Sequence, residues 1–240
     1  EGLSYSQTLG YENRQWELHQ FRSRYHRDEV TNNRGGWAKL EFSKTEHLTS
    51  EGYFTYLKEF KGGHSLNAVA GYSYFEKNGE NFNAENYDFG VEGLKYWDLG
   101  AGSYLTDGKA AMGSGKNITE RLFALYARAN YSYNDKYMVS ATIRHEGSSK
   151  FAAENRWGNF WALSGGWRVS AEEFMKEFDW VSDLKVRFGY GVTGNNDFDA
   201  SYMANTLSRD QYWMLPSGSW AYVYGPSSNV NPYLGWEEKK

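Results

Sequence analysis

From Phe123 onward, every second residue is Phe, Leu, Ala, Ala, Tyr and Tyr, ending at Tyr133; between them stand Ala124, Tyr126, Arg128, Asn130 and Ser132. After Asn134-Asp135-Lys136 the pattern resumes, with Tyr137, Val139, Ala141 and Ile143 on one side and Met138, Ser140, Thr142 and Arg144 on the other. Strict alternation across a tight turn predicts a hairpin of strands 121–133 and 137–145 with one apolar and one polar face. Two further strands repeat the rule. In 159–169, Trp161, Leu163, Trp167 and Val169 oppose Ala162, Ser164, Gly166 and Arg168; in 184–193, Leu184, Val186, Phe188, Tyr190 and Val192 oppose Lys185, Arg187, Gly189, Gly191 and Thr193. Residues 53–60 and 65–76 flank Lys61-Gly62-Gly63-His64 as another hairpin, and segments 1–10, 16–27 and 36–48 read as further strands. Phe174, Phe178 and Val181 are spaced as on a helix, which predicts a short helical turn within 170–183. Residues 77–120, 147–158 and 195–240 read as long loops.

The expected class is therefore all-β and antiparallel. Two architectures produce this alternation: a transmembrane barrel, whose apolar face meets lipid, and a soluble sandwich, whose apolar face meets a second sheet. Loop lengths favour the barrel, because short turns at one rim and long loops at the other are its habit. Tyr131, Tyr133, Tyr137 and Trp167 cluster near the short-turn rim, where amphipathic rings suit a headgroup zone. On this reading Phe123, Leu125, Val139, Ile143, Leu163, Val186 and Phe188 face lipid, whereas Arg128, Arg144, Arg168, Lys185 and Arg187 face a polar lumen. Solvated sheet-face charges would look the same residue by residue.

Composition agrees with strands and turns. The 240 residues include 26 Gly and only 3 Pro, and 18% are aromatic. A net charge of −4 gives no ground for a nucleic-acid partner. The absence of Cys excludes disulfides and thiolate metal sites. No apolar run is long enough for a membrane helix, which leaves strands as the only means of crossing. Residue 1 opens on Glu-Gly-Leu-Ser-Tyr instead of a basic and apolar leader, so the expectation is a mature or internal stretch.

One set of motifs is more specific than periodicity. Arg144 with Gly147-Ser148-Ser149-Lys150-Phe151, then Asn155-Arg156-Trp157-Gly158, Gly166-Trp167-Arg168-Val169-Ser170 and Leu184 to Asn195, resembles the SusC/RagA family of TonB-linked outer-membrane proteins. The segments 64–74 and 231–240 match it more loosely. His145-Glu146 and Phe160-Trp161-Ala162 depart from the family's usual residues without breaking the strand pattern, and the first 50 residues show no placeable motif. The resemblance implies part of a large 22-stranded plugged barrel with long extracellular loops, residues 1–240 being a partial barrel domain without plug, TonB box or terminal strands. It further implies a Gram-negative outer-membrane location and import of oligosaccharide or peptide, with a SusD-like lipoprotein and the TonB complex as partners. It implies no enzyme and no resident cofactor. The rivals are a soluble, aromatic-rich β-sandwich that binds carbohydrate, and a complete small structural barrel.

Other chemistry is weak. Met112-Gly113-Ser114-Gly115-Lys116-Asn117 fails the phosphate-loop pattern at Ala110 and Asn117, and His145-Glu146 lacks the second His of a zinc helix. Asn117-Ile118-Thr119 is a glycosylation sequon in form only. Glu172-Glu173 are adjacent within a turn, not opposed across a cleft as glycoside hydrolysis needs. Asn195, Asn196, Asp197 and Asp199 offer oxygen ligands for Ca²⁺ in a loop, without the spacing of a known site. Trp97, Tyr104, Trp213, Trp220 and Tyr222, with Trp236, are loop aromatics able to stack on a sugar ring or to pack on other loops.

Overall fold

A computed structural model describes residues 2–116, 119–197, 207–226, 231 and 233–239. Eight strands form the main sheet: β1 (Gly2–Arg22), β2 (Trp37–Phe60), β3 (His64–Tyr87), β4 (Ala111–Lys116), β5 (Glu120–Tyr133), β6 (Tyr137–Ser148), β7 (Trp157–Arg168) and β8 (Lys185–Gly191). Their order is β1-β2-β3-β5-β6-β7-β8, with β4 also on β3, so sequence neighbours pair except at β4 and β5, and the sheet does not close. Two small antiparallel ladders stand apart, β9 (Thr193–Asn195) with β12 (Glu237–Lys239), and β10 (Leu207–Met214) with β11 (Trp220–Pro226).

The β5–β6 turn follows from its residues. Asn134 and Asp135 carry φ of 50° and 53°, and the Lys136 N–H donates to the Tyr133 carbonyl at 3.0 Å. Left-handed backbone at both central positions matches the right-handed twist of the strands, and Asn and Asp tolerate it. The β2–β3 turn uses Gly62 and Gly63 at φ of 87° and 81°. The two turns lie side by side, because the Asn134 N–H donates to the Gly63 carbonyl at 2.7 Å. The Arg168 N–H donates to the Lys136 carbonyl at 2.7 Å, which brings the β7–β8 connection to the same rim.

The chain divides into two compact units. One holds the described residues of 1–10, 48–76 and 120–240, the other those of 11–47 and 77–119. Within the first, the motif around Gly147 proves to be a packing knot. A Cβ on Gly147 would come within 2.8 Å of the Trp157 ring. Ser149 accepts the Arg121 N–H through Oγ at 2.8 Å, and buried Phe151 meets Trp236 with ring centroids 5.2 Å apart. Phe160 also meets Trp236, with centroids 5.0 Å apart, and the Trp236 indole donates to the Arg156 carbonyl at 3.0 Å.

Several boundaries differ from the alternation reading. Segments 1–10 and 16–27 are one strand that stops at Arg22, and 36–48 and 53–60 are one strand, β2. The 77–120 segment is a loop only in its middle: β3 runs on to Tyr87, and β4 returns along Glu80–Glu85. Charges on these strands pair locally, as Lys39 with Glu41 at 2.6 Å and Lys44 with Glu46 at 3.0 Å, so no apolar stripe announces them. Strand 184–193 breaks at Val192, and Thr193 with Gly194 and Asn195 joins β12 instead. Residues 195–240 contain a hairpin that unalternating Trp and Tyr concealed. Val169 leaves the apolar face, buried in a 3-10 turn (Val169–Ala171) that a second (Glu173–Met175) follows where the helical turn was expected.

Candidate functional site

Directly opposed residues share a face, so the register fixes both faces of β5–β8. One row runs Ala129, Ala141, Leu163, Tyr190; the next runs Tyr131, Val139, Gly165, Phe188; the last runs Tyr133, Tyr137, Trp167, Val186. Leu125 opposes His145, and Ala127 opposes Ile143. All seven apolar candidates, Phe123, Leu125, Val139, Ile143, Leu163, Val186 and Phe188, therefore occupy one face. Their exposure runs from 36% at Phe123 to 75% at Phe188. No second layer of described residues covers them.

Aromatic rings bound this face at two heights. At the short-turn end Tyr133 stacks on Tyr137 with centroids 6.4 Å apart, and Tyr131 Oη lies 2.6 Å from His64 Nδ1. At the other end Phe123 meets the edge of Trp157, which stacks on His145 at 4.7 Å. Phe123 and Tyr133 lie ten residues apart on one strand. Ten residues span roughly 33 Å of strand, and a tilt of 35–45° reduces that to about 25 Å of height, the size of an outer-membrane barrel's apolar band. Ion pairs close both ends. Arg121 Nε donates to Glu76 at 2.9 Å above Phe123, and Lys136 Nζ lies 3.3 Å from Glu172 below Tyr133.

Glu172 also accepts the Tyr137 hydroxyl at 2.6 Å and the Trp167 indole N–H at 3.0 Å. These donors, the Tyr137 hydroxyl first, hold its carboxyl below the usual glutamate range. A depressed carboxylate pKa stabilises the fold above the unfolded-state value, and that contribution is lost as pH falls through the folded-state value. Acidification below about pH 4 is expected to release the Trp167 indole, read as a tryptophan-fluorescence change that Glu172→Gln removes. An identical acid transition in Glu172→Gln would exclude Glu172 as its source.

The opposite face carries the cations. Arg128 opposes Thr142, Arg144 opposes Phe160, Arg187 opposes Gly166 and Lys185 opposes Arg168, all on one face. Arg144 pairs with Glu146 at 2.7 Å and donates to Ser73 at 3.3 Å, and Arg168 pairs with Asp183 at 3.2 Å. Lys185 Nζ rests 2.9 Å from the Met138 thioether. Arg128, Lys185 and Arg187 make no ion pair among the described residues.

No family model matches the chain. Curated relatives do. TonB-dependent receptor P39 of Formosa agariphila is 32% identical over 99% of this chain and 22% of its own length. TonB-dependent receptor SusC of Bacteroides thetaiotaomicron is 35% identical over 49% of this chain and 12% of its own length. The solved RagAB peptide importer in its closed-closed state superposes with a TM-score of 0.83 at 20% identity, over 99% of this chain and 25% of that one. The chain is a SusC/RagA-like TonB-dependent receptor segment. It spans about a fifth of the length of P39 and shares its strand architecture with RagAB.

This SusC/RagA-like chain also holds a feature that its sequence concealed. Glu29, on a short helix (Arg27–Thr31), is fully buried, and Arg34 grips both of its oxygens at 2.9 and 3.0 Å. The Arg34 guanidinium lies over the Tyr87 ring at 4.5 Å, and Arg22 lies over Trp37 at the same distance. Glu85 ties the two rings together, accepting the Trp37 indole and the Tyr87 hydroxyl at 3.0 Å each. Charge spacing offers no hint of the arrangement, because Glu85 and Trp37 stand 48 residues apart.

The loop aromatics do not converge. Trp97 is 75% exposed and touches Tyr96. Tyr104 packs on Tyr87, with Lys109 over its ring. Trp220 and Tyr222 share one face of the β10–β11 hairpin with Tyr212 and Met214, whereas Trp213 points to the other. Trp236, half-buried against Phe151 and Phe160, is a packing residue. Asn195 and Asn196 spend their amides on Glu237 and Ser148, and Asn195 also accepts the Asp197 N–H. Asp199 and Asn117 lie outside the described residues. Among the described residues no His, Cys, Asp and Glu side chains group as a metal site.

Proposed function

We propose that this SusC/RagA-like chain forms part of the barrel wall of a TonB-dependent importer in a Gram-negative outer membrane. The exposed apolar band between two aromatic belts carries the reading. A sandwich would cover such a face with a second sheet, whereas hydrocarbon leaves it bare in the protein and satisfied in the membrane. The seven apolar candidates then meet lipid, and the cationic face lines the lumen. β2 and β3, at 24 residues each, far exceed the roughly 9–11 residues that cross a bilayer, so their far halves stand in water. The whole receptor takes up oligosaccharide or peptide with a SusD-like lipoprotein and draws energy from TonB; the similarity to SusC and to the RagAB peptide importer supports this. Trp220 and Tyr222, exposed on one hairpin face, are the loop aromatics best placed to stack on cargo.

The test expresses the full-length receptor with and without its candidate lipoprotein. It is expected in the outer-membrane fraction, dependent on detergent once extracted, with uptake of labelled oligosaccharide or peptide that is lost when TonB is absent. Residues 1–240 purified in plain buffer as a cooperatively folded monomer would overturn the proposal.

A further inference from the structure

A polar cup of about 580 Å³ lies against β2, β3 and β4, lined by Lys44, Glu46, Asn78, Glu80, Ser114 and Thr119. Alternation along two uninterrupted strands fixes the side on which it opens. On β3, His64 meets Tyr131 and Glu76 pairs with Arg121, so the even-numbered side chains share the face of the apolar band; Asn78 and Glu80 continue that series. On β2, Ser50 Oγ lies 3.2 Å from Tyr72 Oη, which puts Ser50, Glu46 and Lys44 on the same face. The Thr119 hydroxyl, two residues before Arg121, donates to Asn78 Oδ1 at 2.7 Å. Glu80 stands four residues beyond Glu76, about 13 Å along the strand and about 10 Å in height at a barrel strand's tilt. The headgroup zone is about 5–8 Å deep, so the cup opens just past it, outside the lumen.

Its chemistry suits hydroxyl groups. Lys44 and the Tyr11 hydroxyl both satisfy Glu46, at 3.0 and 2.6 Å. Glu80 meets Lys44 only through its field and accepts no hydrogen bond from the described residues. Two acids thus stand against one base, which disfavours a phosphate. The Gly115 N–H is spent on Asn81 Oδ1, so β4 offers no anion nest either. Exposed rings flank the polar floor, Tyr11 beside Glu46 on one side and Phe82 opposite Ser114 on the other. Acceptors and hydroxyls between two exposed rings match a sugar, which brings hydroxyl donors on its edge and apolar C–H groups on its face. We propose that this cup holds the neutral saccharide of an outer-leaflet glycolipid, whose acyl chains lie on the apolar band. Glu80 accepts from the sugar hydroxyls, and Tyr11 and Phe82 stack on its rings. A cargo sugar would find the same groups, but the wall separates this face from the lumen that cargo crosses. The inference rests on the proposal that the apolar band meets lipid.

The full-length receptor, extracted from outer membranes, stripped of lipid and reconstituted in phospholipid nanodiscs, tests it by native mass spectrometry. Three probes are titrated: lipopolysaccharide from the same membrane, the lipid anchor left after mild acid, and the released saccharide. Intact lipopolysaccharide is expected to bind about tenfold tighter than its anchor, through the added sugar contacts. It should also bind tighter than the released saccharide, because the anchor holds the sugar at high local concentration. Glu80→Ala and Phe82→Ala should each bring lipopolysaccharide down to the level of the anchor and leave cargo uptake at the wild-type rate. Equal affinity for lipopolysaccharide and anchor, or unchanged binding in either variant, would overturn the proposal. Released saccharide as tight as the intact lipid, or loss of cargo uptake in either variant, would overturn it too, by making the cup a site for free sugar. Recovery of the receptor in the outer-membrane fraction is scored before any probe is added, so failure of the barrel reading is distinguished from failure of the cup.

Discussion

Ile143→Arg and Leu163→Arg in the full-length receptor are each expected to lower unfolding stability in bilayers by about 2–4 kcal/mol, the cost of a cation near the midplane of a barrel's lipid face. Both residues lie level with the middle of the band between Phe123 and Tyr133, Ile143 opposite Ala127 and Leu163 opposite Ala141. Leu125→Arg, one row from the Phe123 and Trp157 belt, should cost less, because the side chain reaches the interface. Ser140→Arg, on the opposite face and bonded to Asn130, should cost far less than either central variant. Urea unfolding in lipid vesicles measures the series. Equal losses at Ile143, Leu125 and Ser140 would exclude hydrocarbon as what covers this face.

Glu29→Gln is expected to cost about 3–5 kcal/mol of local stability, as when one partner of a buried ion pair is removed. The amide keeps the shape of the side chain but leaves Arg34, whose side chain is only 19% exposed, without its anion, whereas Arg22 keeps Asp28 at 2.8 Å. Arg34 also donates its N–H to the Glu29 carbonyl, so loss of the pair should open the turn itself. Hydrogen exchange in the receptor should then accelerate over 23–36 and around Tyr87, with the β5–β8 ladders unchanged. Glu29→Leu with Arg34→Leu should restore much of the protection, because a well-packed apolar pair avoids the desolvation of both ions. Unchanged exchange in Glu29→Gln would show that the clasp carries no stability.

Legibility along this chain follows from what each face meets. Where one face is apolar and exposed and the other polar, as from Phe123 to Tyr190, alternation shows the strands directly, and register then follows from the turn at Asn134-Asp135. Where both faces are polar, the signal vanishes. The stretch from Glu76 to Tyr87 is rich in Asn and Glu, and nothing in it distinguishes a strand from a loop. Ladder hydrogen bonds to β4 hold it, and these depend on backbone, not on side-chain type. The β10–β11 hairpin was hidden for a related reason, since large aromatics occupy both of its faces at Trp213 and Trp220.

By itself, then, the sequence determined the all-β class, the facing of β5–β8 and the likeness to SusC/RagA receptors, because each is written in local periodicity or contiguous motif. Tertiary structure alone decided which charges are paired, where the Glu29–Arg34 clasp forms, and that Lys44, Glu80 and Ser114 meet around one cup. Those are contacts between residues far apart in the chain. Their partners are selected by how strands align, which no pattern within a single strand records.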